Sequence, residues 1–195
     1  MTTRERLLAP HRLGIAAIVV ALAFVALIAA RGPAWLQRLY HPLRYQPEIS
    51  AAASRHGVDP FLVAGVIASE SGYDASIVSR AGAVGLMQVL PSTADELSRS
   101  GEVHMGVKAS ELTSPAVNVE FGAAYLGQLM RRFDDTRTAL AAYNAGPATV
   151  DKWLHRPGGG KITYADVAFP ETKRYVKRVL LEAHYYKLLY PEAFK

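Results

Sequence analysis

Glu70 closes a run in which Leu62, Val66 and Glu70 recur at i, i+4 and i+8, so on a helix its carboxylate lies along an apolar stripe. Burial there disfavours the anion, and a place in the last helical turn disfavours it further, because the negative end of the helix dipole faces it. A carboxyl that keeps its proton near neutral pH is a general acid. The competing reading is a glutamate rotated to the helix edge and solvated, the ordinary fate of the residue type. The segment that follows, SGYDASIVSRAGAVGLMQVLPSTA, favours the acid. Its Gly82 and Gly85 permit close backbone approach, and Ser79 and Gln88 are neutral hydrogen-bonding groups of the kind that line a cleft for a polar, uncharged polymer.

Other residue types narrow the chemistry. Cysteine is absent, which excludes disulfides, thiol nucleophiles, Cys-ligated zinc and a cysteine lipid anchor. The six histidines are scattered, with no pair at metal-ligand spacing, so no metal and no cofactor is expected. Of the net charge of +5, Arg4, Arg6, Arg12 and Arg31 against Glu5 place +3 in residues 1–31. The remaining +2 is no footprint for nucleic acid. The basic residues Lys173, Arg174, Lys177 and Arg178 read as a solvated helix face.

The elements that must position these groups are mainly helical. Asp59-Pro60 supplies an N-cap and a first-turn proline for the helix that carries Glu70, and Gly72 is its expected stop. A capping box at Thr93 and Glu96 predicts a short helix ending at Gly101. Ser114-Pro115 begins a longer one with Val117, Phe121, Ala124 and Gln128 on one stripe and Val119, Leu126, Met130 and Phe133 beside it, a pattern of deep burial. A fourth covers about 136–143. The last, about 172–189, turns Val176, Val179, Leu180 and Ala183 inward and stops before Pro191. Gly158-Gly159-Gly160 after Pro157 reads as a mobile loop.

Ahead of this domain, residues 13–30 form an 18-residue run, LGIAAIVVALAFVALIAA, with no charged side chain. As a helix it spans roughly 27 Å, close to the hydrocarbon thickness of a bilayer, and it is apolar all round, unlike a core helix with a polar side. Its length and the bulky Ile28 near any cleavage site favour a retained anchor over a signal peptide. The expected organisation is a cationic cytoplasmic N-terminus over 1–12, a single transmembrane helix over 13–30 and a juxtamembrane linker over 31–46 with Trp35 and Tyr40 at the interface. The catalytic domain, 47–195, then lies on the extracytoplasmic side, in a periplasm or cell wall.

Four blocks in fixed order make the chain similar to one family. Glu70-Ser71-Gly72-Tyr73 is the first; Gly82-Ala83-Val84-Gly85-Leu86-Met87-Gln88 with Pro91, Thr93 and Ala94 is the second; Asn118, Gly122 and Tyr125-Leu126 are the third; Ala142-Tyr143-Asn144-Ala145-Gly146 is the fourth. Glu171-Thr172 with Tyr175-Val176 closes the series. Over about residues 45–190 these resemble the soluble-lytic-transglycosylase-like (SLT) domain, a mainly α, lysozyme-like fold of the goose type that cuts peptidoglycan. Ala75, Ile77 and Ala81 depart from residues common in the family, and Ala81 leaves Ser79 as the polar neighbour of the acid.

The resemblance implies a mechanism with one carboxyl. Glu70 protonates the glycosidic oxygen between N-acetylmuramic acid and N-acetylglucosamine, and the C2 acetamido group steadies the developing positive charge. Glu70 then takes the C6 hydroxyl proton, leaving a 1,6-anhydromuramyl end. It also implies Ser79, Gly85, Met87, Gln88, Tyr143, Asn144 and Tyr175 along the substrate, and a monomer acting on peptidoglycan glycan strands. A lysozyme-type hydrolase would need a second carboxylate. Asp74, Asp59 and Glu171 are the available residues, and Asp59 and Glu171 suit helix starts better. A non-catalytic wall-binding scaffold would be expected to lack the acid.

Overall fold

The computed structural model describes residues 3–106, 108–133, 135–154 and 169–195, with the backbone alone for 3–11 and 27–31. The chain divides into two compact units, Met1–Pro42 and Leu43–Lys195. The expected glycine loop at 158–160 lies outside the described residues.

The first unit holds α1 (Thr3–Arg31) and α2 (Ala34–Tyr40). The described side chains of α1, residues 12–26, are exposed, as are Trp35 and Tyr40. Among the described residues no helix is long and apolar enough to cross a membrane. Residues 27–30 of the expected span fall outside the described side chains. The linker read at 31–46 is partly helical, since α2 lies within it.

The second unit is helical, with antiparallel bridges joining Val84 to Val78 and to Val89 as its described β pairing. Helix α3 (Gln46–His56) leads into α4 (Pro60–Glu70), where Asp59 caps the Phe61 amide at 2.8 Å as expected. Helix α5 covers Pro91–Arg99: Pro91 opens it, so the box expected at Thr93 and Glu96 falls inside the helix and no side chain caps its start. A 3-10 turn, Ala109–Thr113, precedes α6 (Pro115–Phe133). Then come α7 (Thr136–Ala145), α8 (Pro147–Leu154) and α9 (Pro170–Leu189).

Helices α4 and α6 form the centre of the core. In α4 every residue from Leu62 to Ile67 is buried, and in α6 the buried set includes Val119, Phe121, Ala124 and Leu126, although Gln128 of the expected stripe is exposed. Helix α4 packs along α9, α3 along α6, and α6 along α7. Gly65 sets the closest of these approaches. A Cβ there would lie 2.6 Å from the Val179 carbonyl oxygen and 3.0 Å from the Ala183 amide nitrogen of α9.

Candidate active site

Glu70 is the last residue of α4, and the chain turns away sharply behind it. Gly72 and Tyr73 both take left-handed backbone angles, φ 59° and 70°. For a tyrosine that conformation is uncommon and must be held by its surroundings. Here the Tyr73 ring is buried against Tyr45 and edge-on to Tyr186. Ser71, also buried, fixes the turn to the rest of the site. Its hydroxyl donates to the Leu86 carbonyl at 2.9 Å, lies 3.2 Å from the Ile67 carbonyl and accepts from the Tyr73 amide. The second residue of the E-S block therefore couples the end of α4 to the loop carrying Met87 and Gln88.

The Glu70 carboxyl is half-buried, and burial holds its pKa above the ordinary glutamate value against the opposing pull of Tyr175 and Arg178. Both opposing groups stand on α9. The Tyr175 hydroxyl, fully enclosed, faces Glu70 without closing a hydrogen bond of standard geometry and has no other partner among the described residues. A buried hydroxyl left in that state is costly in a purely structural role. Arg178 donates to the Ser69 carbonyl at 2.9 Å, so the helix face read as solvated contributes to the end of α4. Tyr143, from α7, is close enough for the Glu70 charge to act on its hydroxyl.

The loop over residues 77–90 is ordered by its own polar groups. The Ser79 oxygen accepts from the Ala83 amide at 3.0 Å, tightening the turn between Val78 and Val84. Gln88, with φ 50°, donates its side-chain amide to the carbonyls of Gly85 (2.9 Å) and Ile77 (3.2 Å). Gly85 has φ 77° and no room for a side chain, because a Cβ would meet Asn118 Nδ2 at 2.5 Å and the Leu112 carbonyl at 2.6 Å. Met87 is fully buried against Gly122, where a Cβ would overlap its side chain, so its thioether packs beneath the loop rather than in the open cleft.

Asn118 anchors the loop from α6. Fully buried, it accepts from the Met87 amide at 2.7 Å and donates to the carbonyls of Val84 and Leu112, both at 2.7 Å. Tyr143 closes the other side, donating to the Met87 carbonyl at 2.8 Å, with its ring 5.3 Å from that of Tyr125. Asn144 accepts from the Thr172 hydroxyl at 2.8 Å, tying the end of α7 to the start of α9. Gln88, Leu90, Thr93, Tyr125, Tyr143 and Asn144 line a cleft of 310 Å³ that mixes aromatic walls with neutral hydrogen-bonding groups. A larger cavity of 660 Å³ is bordered by Arg55, His56 and Glu120. Glu120 sits about 200° around α6 from both Asn118 and Gly122, so this cavity faces away from the loop.

None of the three alternative carboxylates acts on Glu70. Asp59 is spent at the opposite end of α4, Asp74 is exposed and bound to the Ser76 amide and hydroxyl, and Glu171 is exposed in the first turn of α9. Gly65, Asn118 and Thr172 hold the site without any role evident from sequence, and Arg178 departs from the expected solvent face by its bond to Ser69. The blocks containing Asn118 and Thr172 were the available signal for two of them.

The family model described as "Transglycosylase SLT domain" matches residues 47–165. The chain is 30% identical over 150 residues to the soluble lytic murein transglycosylase of Escherichia coli K12, covering 75% of this chain and 23% of that protein. It is 33% identical over 150 residues to the membrane-bound lytic murein transglycosylase C of Histophilus somni strain 2336, covering 72% and 40%. Among solved structures, an inactive mutant of the lytic transglycosylase Slt of Pseudomonas aeruginosa superposes with a TM-score of 0.71 at 30% identity, over 83% of this chain and 27% of that one. The 70-kDa soluble lytic transglycosylase in complex with bulgecin A gives 0.72 at 28%, over 82% and 27%. The chain thus spans from under a quarter to two-fifths of the length of these relatives, and it shares their helical fold.

Proposed function

We infer, given that the chain belongs to the transglycosylase SLT domain family, that it is a peptidoglycan lytic transglycosylase with Glu70 as acid and then base. The observation that carries this reading is a half-buried carboxyl with a raised pKa at the end of α4, faced by the enclosed hydroxyl of Tyr175 and, among the described residues, by no carboxylate. Glu70 protonates the glycosidic oxygen between N-acetylmuramic acid and N-acetylglucosamine. As the C1–O bond breaks, the C2 acetamido oxygen stabilises C1. The Glu70 carboxylate then removes the C6 hydroxyl proton as O6 bonds to C1. Glu70 ends as it began, protonated, and no water is consumed.

The hydrogen bonds already made support specific roles along the glycan. Gln88 commits its amide protons to the loop, which leaves its carbonyl oxygen as an acceptor for sugar hydroxyls. Asn144 commits its oxygen to Thr172 and offers its NH₂. Ser79 keeps its hydroxyl proton for donation, Tyr143 walls the sugar with its ring, and Tyr175 offers its hydroxyl to the acetamido group or to Glu70. Gly85 and Met87 act beneath the surface by shaping the loop.

The N-terminal unit fits an anchor. The 18 apolar residues 13–30 follow a cationic start and precede exposed Trp35 and Tyr40, the pattern of a single-pass helix with interfacial aromatics. One relative is named as membrane-bound. In this arrangement residues 1–12 stay in the cytoplasm and 47–195 work as a monomeric domain on glycan strands outside the membrane. Resistance of the full chain to alkaline extraction from membranes supports this, and its release into the supernatant argues against it.

The activity is tested with the full chain, purified in detergent, on cell-wall sacculi beside Glu70→Gln. Turnover by the native chain alone, with 1,6-anhydromuramyl ends by mass spectrometry, is the expected result. Reducing muramic ends without anhydro ends would identify a hydrolase, and equal turnover by both proteins would remove Glu70 from the chemistry.

A further inference from the structure

We propose that Arg178 is a positioning residue for this reaction, fixing the end of α4 through the Ser69 carbonyl and supplying the counter-charge against which Glu70 releases and regains its proton. The inference rests on the reading of Glu70 as acid and base.

The geometry begins one residue away from Arg178. At Gly65 the missing side chain lets α4 approach the Val179 carbonyl and the Ala183 amide of α9, so the two helices are in backbone contact. With α9 held there, Tyr175 and Arg178, at i and i+3, lie on neighbouring positions of one face and both reach the end of α4. Arg178 donates to the Ser69 carbonyl at 2.9 Å. That carbonyl belongs to the last turn of α4, where backbone acceptors lack helical partners and the dipole presents negative charge. A guanidinium at this end offsets both.

The reaction needs such a charge. Once Glu70 has given its proton to the leaving oxygen, it is an anion at the negative end of a helix, in a half-buried site. Among the described residues the groups that act on it are Tyr175 and Arg178 from α9 and Tyr143 from α7; Arg80, the one charged residue of the loop over 77–90, is exposed and is not among them. The two tyrosines are neutral, which leaves Arg178, among the described residues, as the group that favours the carboxylate by charge. Without it Glu70 holds its proton more tightly and is a weaker acid, while the protein still binds glycan. Arg178 itself is exposed, so its effect is moderate rather than decisive.

The test compares the full chain with Arg178→Gln and Arg178→Lys on soluble, uncrosslinked glycan strands, across pH and well below the melting temperature of each protein. For Arg178→Gln we expect kcat to fall roughly tenfold with KM within about twofold. The alkaline limb of kcat/KM should move up by about one pH unit, because an acid of higher pKa stays protonated further. Arg178→Lys, which keeps the positive charge, should keep the native limb. An unmoved limb in Arg178→Gln, or a lysine variant that follows the glutamine one, would overturn the proposal and leave Arg178 as a helix tie. Glu70→Gln separates the two readings. If it retains turnover, the reading of Glu70 fails; if it is inactive while the limb stays put in Arg178→Gln, this inference alone fails.

Discussion

The side-chain oxygen of Asn118 accepts the Met87 amide proton at 2.7 Å across 31 residues of sequence, and it does so from the fully buried face of α6. The same side chain donates to Val84 and Leu112, so the loop beside Glu70 hangs from one amide group. Tyr143 holds that loop from the opposite side by donating to the Met87 carbonyl. Replacing Asn118 by alanine strips the Met87 amide and the Leu112 carbonyl of this buried partner, while the Val84 carbonyl keeps the Val89 amide at 3.0 Å. A loss of roughly 3–5 kcal/mol in urea unfolding is expected, with activity reduced at temperatures where the variant is still folded. Asn118→Asp should not rescue it, since a carboxylate cannot donate to the two carbonyls.

Tyr175→Phe should separate catalysis from stability. Among the described residues the hydroxyl closes no hydrogen bond of standard geometry, so its removal costs little stability, and the melting temperature should stay within about 2 °C of the native value or rise. Activity on glycan strands should fall by roughly 10- to 100-fold. A destabilised variant of native activity would make Tyr175 a core residue only.

Glu70 makes stability depend on pH in a direction opposite to most carboxylates. Burial raises its folded pKa above the unfolded value, so the folded state binds the extra proton. Stability from this group is present in full below the unfolded pKa and is lost as pH climbs to the folded one. Glu70→Gln, which cannot ionise, should be more stable than the native chain at about pH 8 and should lose that advantage at about pH 4. Thermal melts of the two proteins at both pH values check the sign.

Gly65→Ala should act at a distance on the chemistry. The new methyl would collide with backbone atoms of α9, which cannot rotate away. A cost of about 1–3 kcal/mol is expected. Because Tyr175 and Arg178 ride on α9, turnover should fall more than binding: kcat decreases and KM barely changes in steady-state assays on glycan strands.

Much of the fold was legible because its signals are local. Asp59 caps the Phe61 amide two residues away, Pro60 and Pro115 open their helices, and the apolar run of α4 is continuous. Glu70 was legible for the same reason: its neighbours on the helix are known once the helix is known. Local signals also compete. Thr93 and Glu96 have the spacing of a capping box, but Pro91 starts the helix earlier and takes them into its first turns.

By itself the sequence determined which side chain could be an acid, most helical segments though not α2, α3 or α8, where an apolar N-terminal run stands, and, through its ordered blocks, the family resemblance. Only the tertiary structure decided which polar residues hold the site. Arg178 reads as part of a solvated face, and Asn118 as no more than a member of a block, until their partners 109 and 31 positions away are known. Gln88 and Ser79 read as free groups until their loop closes on them. Met87 reads as a cleft residue until Gly122 makes room for it below. Hydrophobic period and capping chemistry act over a few residues and are written along the chain. Hydrogen bonds between helices exist only after the helices pack, and backbone contact at Gly65 is what brings α9, with Tyr175 and Arg178, to the end of α4.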